Sequence, residues 1–161
     1  MMKTCVVMGL ALAAALVAAC SSGPTTYTIN GSCGPLAAEI SSEILLSGPC
    51  NLGPAGQYTL DAGLAVNIGA CGNEPVTIAA QWIQGSSYIN SSFTGAAVIG
   101  CKPNDGGTDL TQPITVAGVF TYSGGTGTFS DATGTAAVDG GVTASNTGLT
   151  ATLGLTGTLT Y

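Results

Sequence analysis

Four cysteines are the residues whose type and spacing say most about the chemistry of this chain. Cys33, Cys50, Cys71 and Cys101 follow one another at intervals of 17, 21 and 30 residues, and the sequence contains no histidine. Zinc sites built on cysteine usually pair their ligands about two to four residues apart, so we predict neither a metal site nor a cofactor. If the chain leaves the cytoplasm, an even number of cysteines predicts two disulfides instead. Sequence leaves the connectivity open, and we favour Cys33–Cys50 with Cys71–Cys101 because short loops close most easily.

Residues for acid–base or nucleophilic catalysis are scarce. Without histidine, neither a Ser-His-Asp nor a Cys-His arrangement can be built. Lys102 is the only amine base beyond the first residues of the chain, and we interpret it as a solvated side chain in a turn. Glu39 and Glu43 would share one strand face, near the spacing of a glycosidase carboxylate pair, but exposed solubilising charges are the better interpretation. We therefore predict no catalytic residue and no enzyme.

One loop offers oxygen ligands for a cation. Asp105 and Asp109 lie in the segment Asn104–Asp109, where their carboxylates could bind Ca²⁺. The segment lacks the ligand pattern of an EF-hand loop, and its Asn, Asp and Gly residues are typical of tight turns. A turn is therefore predicted here rather than a calcium site.

The balance of charge excludes several partners. Beyond residue 19 one lysine faces eight carboxylates, and charged residues make up 6% of the chain, against roughly 25% in an average soluble protein. Phosphate binding draws on many Lys and Arg side chains, so nucleic acid is not an expected partner. A basic patch for anionic lipids is excluded for the same reason. Membrane attachment would have to be covalent or purely apolar.

The first twenty residues supply a covalent route to a membrane. Met1–Thr4 carry one positive charge, and Cys5–Ala19 contain none. That uncharged run is shorter than the roughly 20 residues of a transmembrane helix and is typical of an export signal. Its end, Leu16-Val17-Ala18-Ala19-Cys20, resembles the lipobox of bacterial lipoproteins. The resemblance implies cleavage before Cys20 and attachment of more than one acyl chain to that residue, whereas a single chain anchors only marginally.

This resemblance sets the expected domain boundaries and location. Residues 1–19 would be a lipoprotein signal peptide, 20–34 the lipidated cysteine with a polar tether, and 35–161 the folded domain. Ser21 and Ser22 follow Cys20 without an aspartate, which resembles outer-membrane sorting in Gram-negative cells. We expect a cell-envelope protein held to a membrane through lipid on Cys20, in the outer membrane if the cell is Gram-negative.

Alternation of apolar and polar residues runs through much of the remaining sequence. The clearest case is 149–161, where leucine, alanine, glycine and tyrosine alternate mainly with threonine. Such alternation is the signature of β-strands. Gly72–Pro75, Asn104–Gly107 and Asp139–Gly141 have the composition of turns between strands. We predict an all-β domain, a single antiparallel β-barrel or sandwich of about seven to nine short strands.

Residues 36–46 fit either a helix or a strand. A helix would place Glu39 and Glu43 one turn apart as a like-charge pair, which is unfavourable. The segment also alternates, and we predict a strand.

The alternation also assigns an inner face to each strand. Five large residues lie in phase with the apolar residues of their own strands: Trp82, Phe120, Phe129, Leu153 and Leu155. We expect them to face the core. An overlapping aromatic set could instead line a ligand cavity, although core packing is the default expectation: Trp82, Tyr88, Phe93, Phe120 and Phe129.

A family resemblance lies in the second half of the chain. The segment 124–135 resembles the GGTGxFxxATG hairpin of secreted bacterial β-proteins; it reads Gly124-Gly125-Thr126-Gly127-Thr128-Phe129-Ser130-Asp131-Ala132-Thr133-Gly134-Thr135. Those proteins are similar to the small eight-stranded barrels of the allene oxide cyclase and dirigent type. The terminal 157–161 resembles their closing strand, and the match is best over 86–161. Thr128 stands where that family usually has arginine, so any role of that arginine is missing. Physically, the glycines permit positive φ at tight turns and Phe129 fixes the hairpin to the core.

Three functions are compatible with these features. We favour a lipid-anchored envelope domain that binds an apolar small molecule or an envelope protein, or has a structural role. The resemblance implies an alternative, a cyclase- or isomerase-like barrel that steers an apolar substrate by the shape of its cavity. A small outer-membrane barrel is the third, although the aromatic residues are too few for two girdles.

The lipobox generates the first prediction. Replacing Cys20 with Ser removes the acyl acceptor, so the Cys20→Ser chain should lose both its acyl mass and its retention in the membrane fraction. Fractionation followed by intact mass spectrometry measures both. Acyl mass on Cys20→Ser protein that still sediments with membranes would contradict the assignment.

Overall fold

The computed structural model describes residues 23–40, 44–64, 71–104, 106–109, 111–145 and 148–161. Eight antiparallel strands, each paired with its neighbours in sequence, close into one barrel when the first strand pairs with the last. The strands are β1 (Thr26–Ile40), β2 (Ile44–Asn51), β3 (Gln57–Leu64), β4 (Gly72–Gln84), β5 (Ser87–Ile99), β6 (Ile114–Gly125), β7 (Thr133–Ser145) and β8 (Gly148–Thr160). The all-β prediction is confirmed, and of the two predicted architectures the barrel is the one observed.

Closure of the barrel depends on a long antiparallel ladder between β1 and β8. Thr26 pairs with Thr160 at one end of this ladder, and Ala38 pairs with Leu149 at the other. Closing the sheet in this way leaves no strand edge exposed for pairing with another chain. Within the described part of the chain, no helix has the length and hydrophobicity needed to cross a membrane.

One predicted boundary needs correction. β1 begins at Thr26, so residues 26–34, which we expected to form part of the tether, belong to the barrel. The predicted strand over 36–46 is confirmed as two strands, β1 ending at Ile40 and β2 beginning at Ile44, while 41–43 lie outside the described residues. Apolar and small or polar residues also alternate over 64–70 in the sequence, and of these residues only Leu64, the last residue of β3, is described.

Two of the three predicted turns are wrong. Gly72–Pro75 forms the start of β4, and Asp139–Gly141 lies inside β7. Gly140 serves close packing instead of a turn, because a Cβ there would come within 2.9 Å of the Leu153 Cα on β8. The third prediction is confirmed, since Pro103 and Asn104 form a turn that the hydrogen bond from Lys102 N to Gly107 O closes at 2.7 Å.

Alternating residues from all eight strands fill the inside of the barrel. Trp82, Phe93 and Phe120 occupy the centre, where the Phe120 ring centroid lies 5.1 Å from that of Trp82 and 5.2 Å from that of Phe93. All five residues predicted to face inward are buried: Trp82, Phe120, Phe129, Leu153 and Leu155. The threonines that alternate with these leucines on β8, such as Thr152 and Thr156, are exposed.

Both expected disulfides are present. Cys33–Cys50 joins register partners on β1 and β2 and is buried inside the barrel. Cys71–Cys101 ties the residue before β4 to the segment after β5, at the opposite end of the barrel from Thr26 and Thr160. Because each bond closes a loop of the unfolded chain, each contributes roughly 2–4 kcal/mol in the loop-entropy account.

The GGTG segment forms a hairpin between β6 and β7. A short 3-10 turn over Gly127–Phe129 connects the strands, and Gly124 and Gly127 both have positive φ, at 78° and 60°. Phe129 turns inward from this connection and packs edge-on against Tyr161, with ring centroids 4.7 Å apart. One aromatic side chain thus fixes the hairpin to the core, as the sequence predicts.

Removing that side chain should be costly. We expect Phe129→Ala to lower the free energy of unfolding by about 3–5 kcal/mol, because truncation of a buried Phe loses its transfer free energy and leaves a cavity. Thr156→Ala, on the exposed face of β8, should cost well under about 1 kcal/mol. Urea melts of the two variants measure the difference, and equal costs would show that the faces of the barrel are wrongly assigned.

Candidate functional site

Among the described residues, the aromatic side chains predicted as a possible cavity lining enclose no ligand-sized cavity. Trp82, Phe93, Phe120 and Phe129 pack as core, and Tyr88 stands apart from them, half-exposed next to the buried Ile89. An enclosed hollow of about 20 Å³ lies beside Phe93 and Phe120. Ligand pockets occupy roughly 300–1,000 Å³, so this hollow cannot hold a small-molecule substrate.

One buried polar cluster lies within this core. The Trp82 indole donates from Nε1 to Ser91 Oγ at 2.8 Å, and Ser91 Oγ in turn donates to the Ala80 carbonyl at 3.4 Å. Tyr122, whose ring centroid is 5.8 Å from that of Trp82, places its hydroxyl in the same region without a hydrogen-bond partner. Burial raises the pKa of the Tyr122 phenol, so it remains a neutral structural group.

A second tyrosine cluster closes the end of the barrel where β1 begins and β8 ends. The Ala55 carbonyl, on the 3-10 turn between β2 and β3, accepts the hydroxyl of Tyr58 at 3.0 Å and that of Tyr161 at 3.5 Å. Desolvation, reinforced by the hydrogen bond with Tyr161, raises the pKa of Tyr58. The Tyr58 and Tyr161 hydroxyls are hydrogen-bonded to the backbone and to each other. This arrangement is typical of side chains that close the end of a barrel, and not of a reactive site.

The structure describes only some of the residues considered for catalysis or calcium binding. Lys102 is exposed, while Glu39 lies near the end of β1; Glu43 and Asp105 lie outside the described residues. Asp109 accepts from Thr111 N at 3.0 Å and from Thr111 Oγ1 at 2.6 Å, and these hydrogen bonds lower the pKa of the Asp109 carboxyl. Among the described residues, no group of three or more His, Cys, Asp or Glu could hold a metal ion.

A concave feature lies on the outer face of the barrel, and sequence reasoning missed it. We call it the amide groove: a depression of about 470 Å³ lined by Ser32, Gly34, Pro49, Cys50, Asn51, Gln57, Tyr58, Thr59, Ile83, Gln84 and Gly85. It crosses β1 to β4 beside the bulge in β1 between Cys33 and Ala37. Bulges bend a strand and increase its twist, which accounts for a concave stretch on an otherwise convex barrel.

A second depression lies next to the amide groove along β3 and β4. This hollow, about 370 Å³ in volume, is lined by Asp61, Ala79, Ala80, Gln81, Asn90 and Ser91. The two adjoin because Thr59 pairs with Ile83 and, two residues along, Asp61 pairs with Gln81. One feature of the sequence could have indicated these two depressions, because three of the four glutamines in the chain line them: Gln57, Gln81 and Gln84.

The groove has a rigid floor and partly fixed amides. Buried Cys50, held by its disulfide to Cys33, and buried Tyr58 lie beneath it. Gln84 Nε2 donates to the Gln57 carbonyl at 3.1 Å, and Gln81 Nε2 donates to Asn90 Oδ1 at 3.4 Å. The side chains are therefore partly pre-organised, which lowers the entropic cost of binding a ligand.

Comparison of the chain with known protein families, with curated proteins and with solved structures found no match in any of the three. The lipobox and the GGTGxFxxATG resemblance therefore stay predictions.

The buried Tyr122 hydroxyl generates a stability prediction. Tyr122→Phe deletes a buried polar group that has no partner, so the free energy of unfolding should stay the same or rise by about 1 kcal/mol. Tyr58→Phe is the matched control. It deletes a buried hydroxyl that is bound to Ala55 O, so it should lower the free energy of unfolding by about 0.5–1.5 kcal/mol. Urea melts at neutral pH compare the two, and a loss for Tyr122→Phe as large as for Tyr58→Phe would show that Tyr122 has a partner.

The same pair predicts the behaviour at alkaline pH. An unfolded tyrosine ionises near pH 10, whereas burial keeps the folded phenols protonated. Above about pH 10 the unfolded state therefore binds fewer protons than the folded state, and stability falls as pH rises. Below that pH both phenols are protonated in the folded and unfolded states, so they add no pH dependence to the stability. Each Tyr→Phe variant should make the alkaline decline shallower; an unchanged slope in both would contradict the assignment of raised pKa values.

Proposed function

We propose that this chain is a lipid-anchored domain of the bacterial cell envelope that acts by binding and not by catalysis. The observation that carries the binding role is the contrast between a filled interior and an open polar groove outside it. The amide groove is within the usual size range of ligand sites, and the side chains along it are hydrogen-bonding groups without an acid–base pair.

Three features support the envelope location. The lipobox-like run ends at Cys20, and β1 begins only six residues later, at Thr26. Two disulfides stabilise the barrel, and disulfides persist in oxidising compartments outside the cytoplasm. The outer strand faces carry mostly threonine, serine and alanine, which suits an exported domain that is soluble with few charges.

The two alternatives receive less support. A cyclase- or isomerase-like barrel needs a cavity that encloses its substrate, and the described interior has a hollow of only about 20 Å³ beside Phe93 and Phe120. A spanning barrel has polar residues inside and an apolar band outside. Here Leu153 and Leu155 face inward while Thr152 and Thr156 face outward, which is the reverse arrangement.

The proposal predicts a specific covalent state for protein taken from its native compartment. Intact mass spectrometry should find a chain that begins at Cys20 and carries added acyl mass. Alkylation without reductant should leave Cys33, Cys50, Cys71 and Cys101 unmodified, and all four should react after reduction and unfolding. A chain that retains residues 1–19, or one that shows four alkylated thiols before reduction, would contradict the envelope location.

A further inference from the structure

We infer that the amide groove, with the adjoining hollow over Asp61, binds a neutral carbohydrate chain. This inference rests on the proposed binding role and names the class of ligand. It is drawn from the chemistry of the lining residues and from where that chemistry is concentrated on the barrel.

The lining is rich in groups that both donate and accept hydrogen bonds. Five neutral polar side chains border the amide groove: Ser32, Asn51, Gln57, Thr59 and Gln84. Gln81 and Asn90 border the adjoining hollow, whereas the Ser91 hydroxyl beneath it is bound to Trp82 in the core. Each primary amide offers two donors and an acceptor, and each hydroxyl offers both functions. Sugar hydroxyls also donate and accept, so they match such a surface more closely than a ligand with one kind of group.

Several amide groups keep unused hydrogen-bonding capacity. Asn51 Oδ1 accepts from Gly53 N at 3.0 Å, and its NH₂ donates to no protein group within the described residues. Gln84 donates through Nε2, and its Oε1 has no protein partner within the described part of the chain. The amide of Gln57 likewise makes no side-chain hydrogen bond there, although its backbone carbonyl accepts from Gln84. The groove therefore presents donors and acceptors to solvent at several points along its length.

Charge excludes the other common ligands of such a groove. Asp61 is the only charged residue among the described residues that line the groove and the hollow, and Lys102 lies in the loop after β5, away from both. An anionic ligand would find a carboxylate and no cation.

Sheet closure argues against a peptide ligand. A peptide that adds a strand would need a free sheet edge, which a closed barrel lacks. A carboxylate at Asp61 is a strong acceptor for the hydroxyl of a sugar.

The shape favours a chain over a single sugar. The groove and the hollow lie side by side along β3 and β4, from Gln57 and Gln84 at one end to Asp61 and Gln81 further along. Hydrogen-bonding groups repeat along this path. A ligand with hydroxyls repeating along its length can engage both depressions at once, whereas a monosaccharide can fill only one.

The test uses the full chain purified from the envelope in a detergent without a sugar headgroup. The probes are the neutral hexasaccharides of β-1,4-linked glucose, β-1,3-linked glucose and β-1,4-linked N-acetylglucosamine, with oligogalacturonate as the anionic comparator. Saturation-transfer NMR and isothermal titration calorimetry measure binding. We expect at least one neutral hexasaccharide to bind and oligogalacturonate not to bind.

Variants connect binding to the groove. Gln57→Ala and Asp61→Ala should each weaken binding of the positive probe about tenfold, the loss expected for one good hydrogen bond. Thr135→Ala and Thr121→Ala, exposed on β7 and β6, are matched controls and should leave the affinity unchanged. Urea melts keep a folding defect distinct from a binding defect.

Two results would overturn the inference: no binding by any of the neutral hexasaccharides, or binding that Gln57→Ala and Asp61→Ala leave unchanged. Stronger binding of oligogalacturonate than of the neutral probes would overturn it as well. None of these results bears on the lipid anchor. Acyl mass at Cys20 in the same preparation decides that separately, so failure of the carbohydrate inference and failure of the proposed location can be told apart.

Discussion

The structure depends on one constraint, the narrow interior of an eight-stranded barrel. Such a barrel is just wide enough for side chains to fill, so most inward positions are apolar and each must be complementary in size to its neighbours. Trp82, Phe93 and Phe120 fill the centre, and glycine faces them where there is no room for a Cβ. At Gly118, for example, a Cβ would lie 2.6 Å from the Phe93 ring. The scarcity of large residues and the abundance of glycine in the sequence follow from this geometry.

Closure of the barrel also determines which residues lie on its outer face. Because side chains alternate, filling the interior turns threonine outward on most strands, and register brings these threonines into rows across the sheet. One such row runs over five strands through Thr28, Thr158, Thr135, Thr121 and Ser92, all of them exposed. Threonine has high strand propensity, and cross-strand threonine pairs add stability, so this surface stabilises the sheet while remaining hydrated without charge. Amide side chains interrupt this hydroxyl surface in the groove over β1 to β4.

The fold was more predictable from sequence than the site. Alternation on β8 places Leu153 and Leu155 inside, and the preference for short loops favours the two disulfide pairs that are observed, because these signals are local. The turn predicted from composition at Asp139–Gly141 is wrong, because Gly140 is needed for close packing against the neighbouring strand β8. Local sequence does not reveal which strand packs there. The amide groove could not be foreseen for a related reason. It is built from four strands and a bulge, and only register brings Gln57 beside Gln84.

The pairing of β1 with β8 also fixes the order of events during folding. Thr26 and Thr160 are 134 residues apart in sequence, so the barrel cannot close until β8 is available to pair with β1. Contacts this distant in sequence form slowly, because the chain between them must be ordered first. If Cys20 is lipidated as proposed, the strand nearest the anchor waits longest for its partner. Until then the edge of β1 that pairs with β8 is open to other chains, and completion of β8 is the step that ends this exposure.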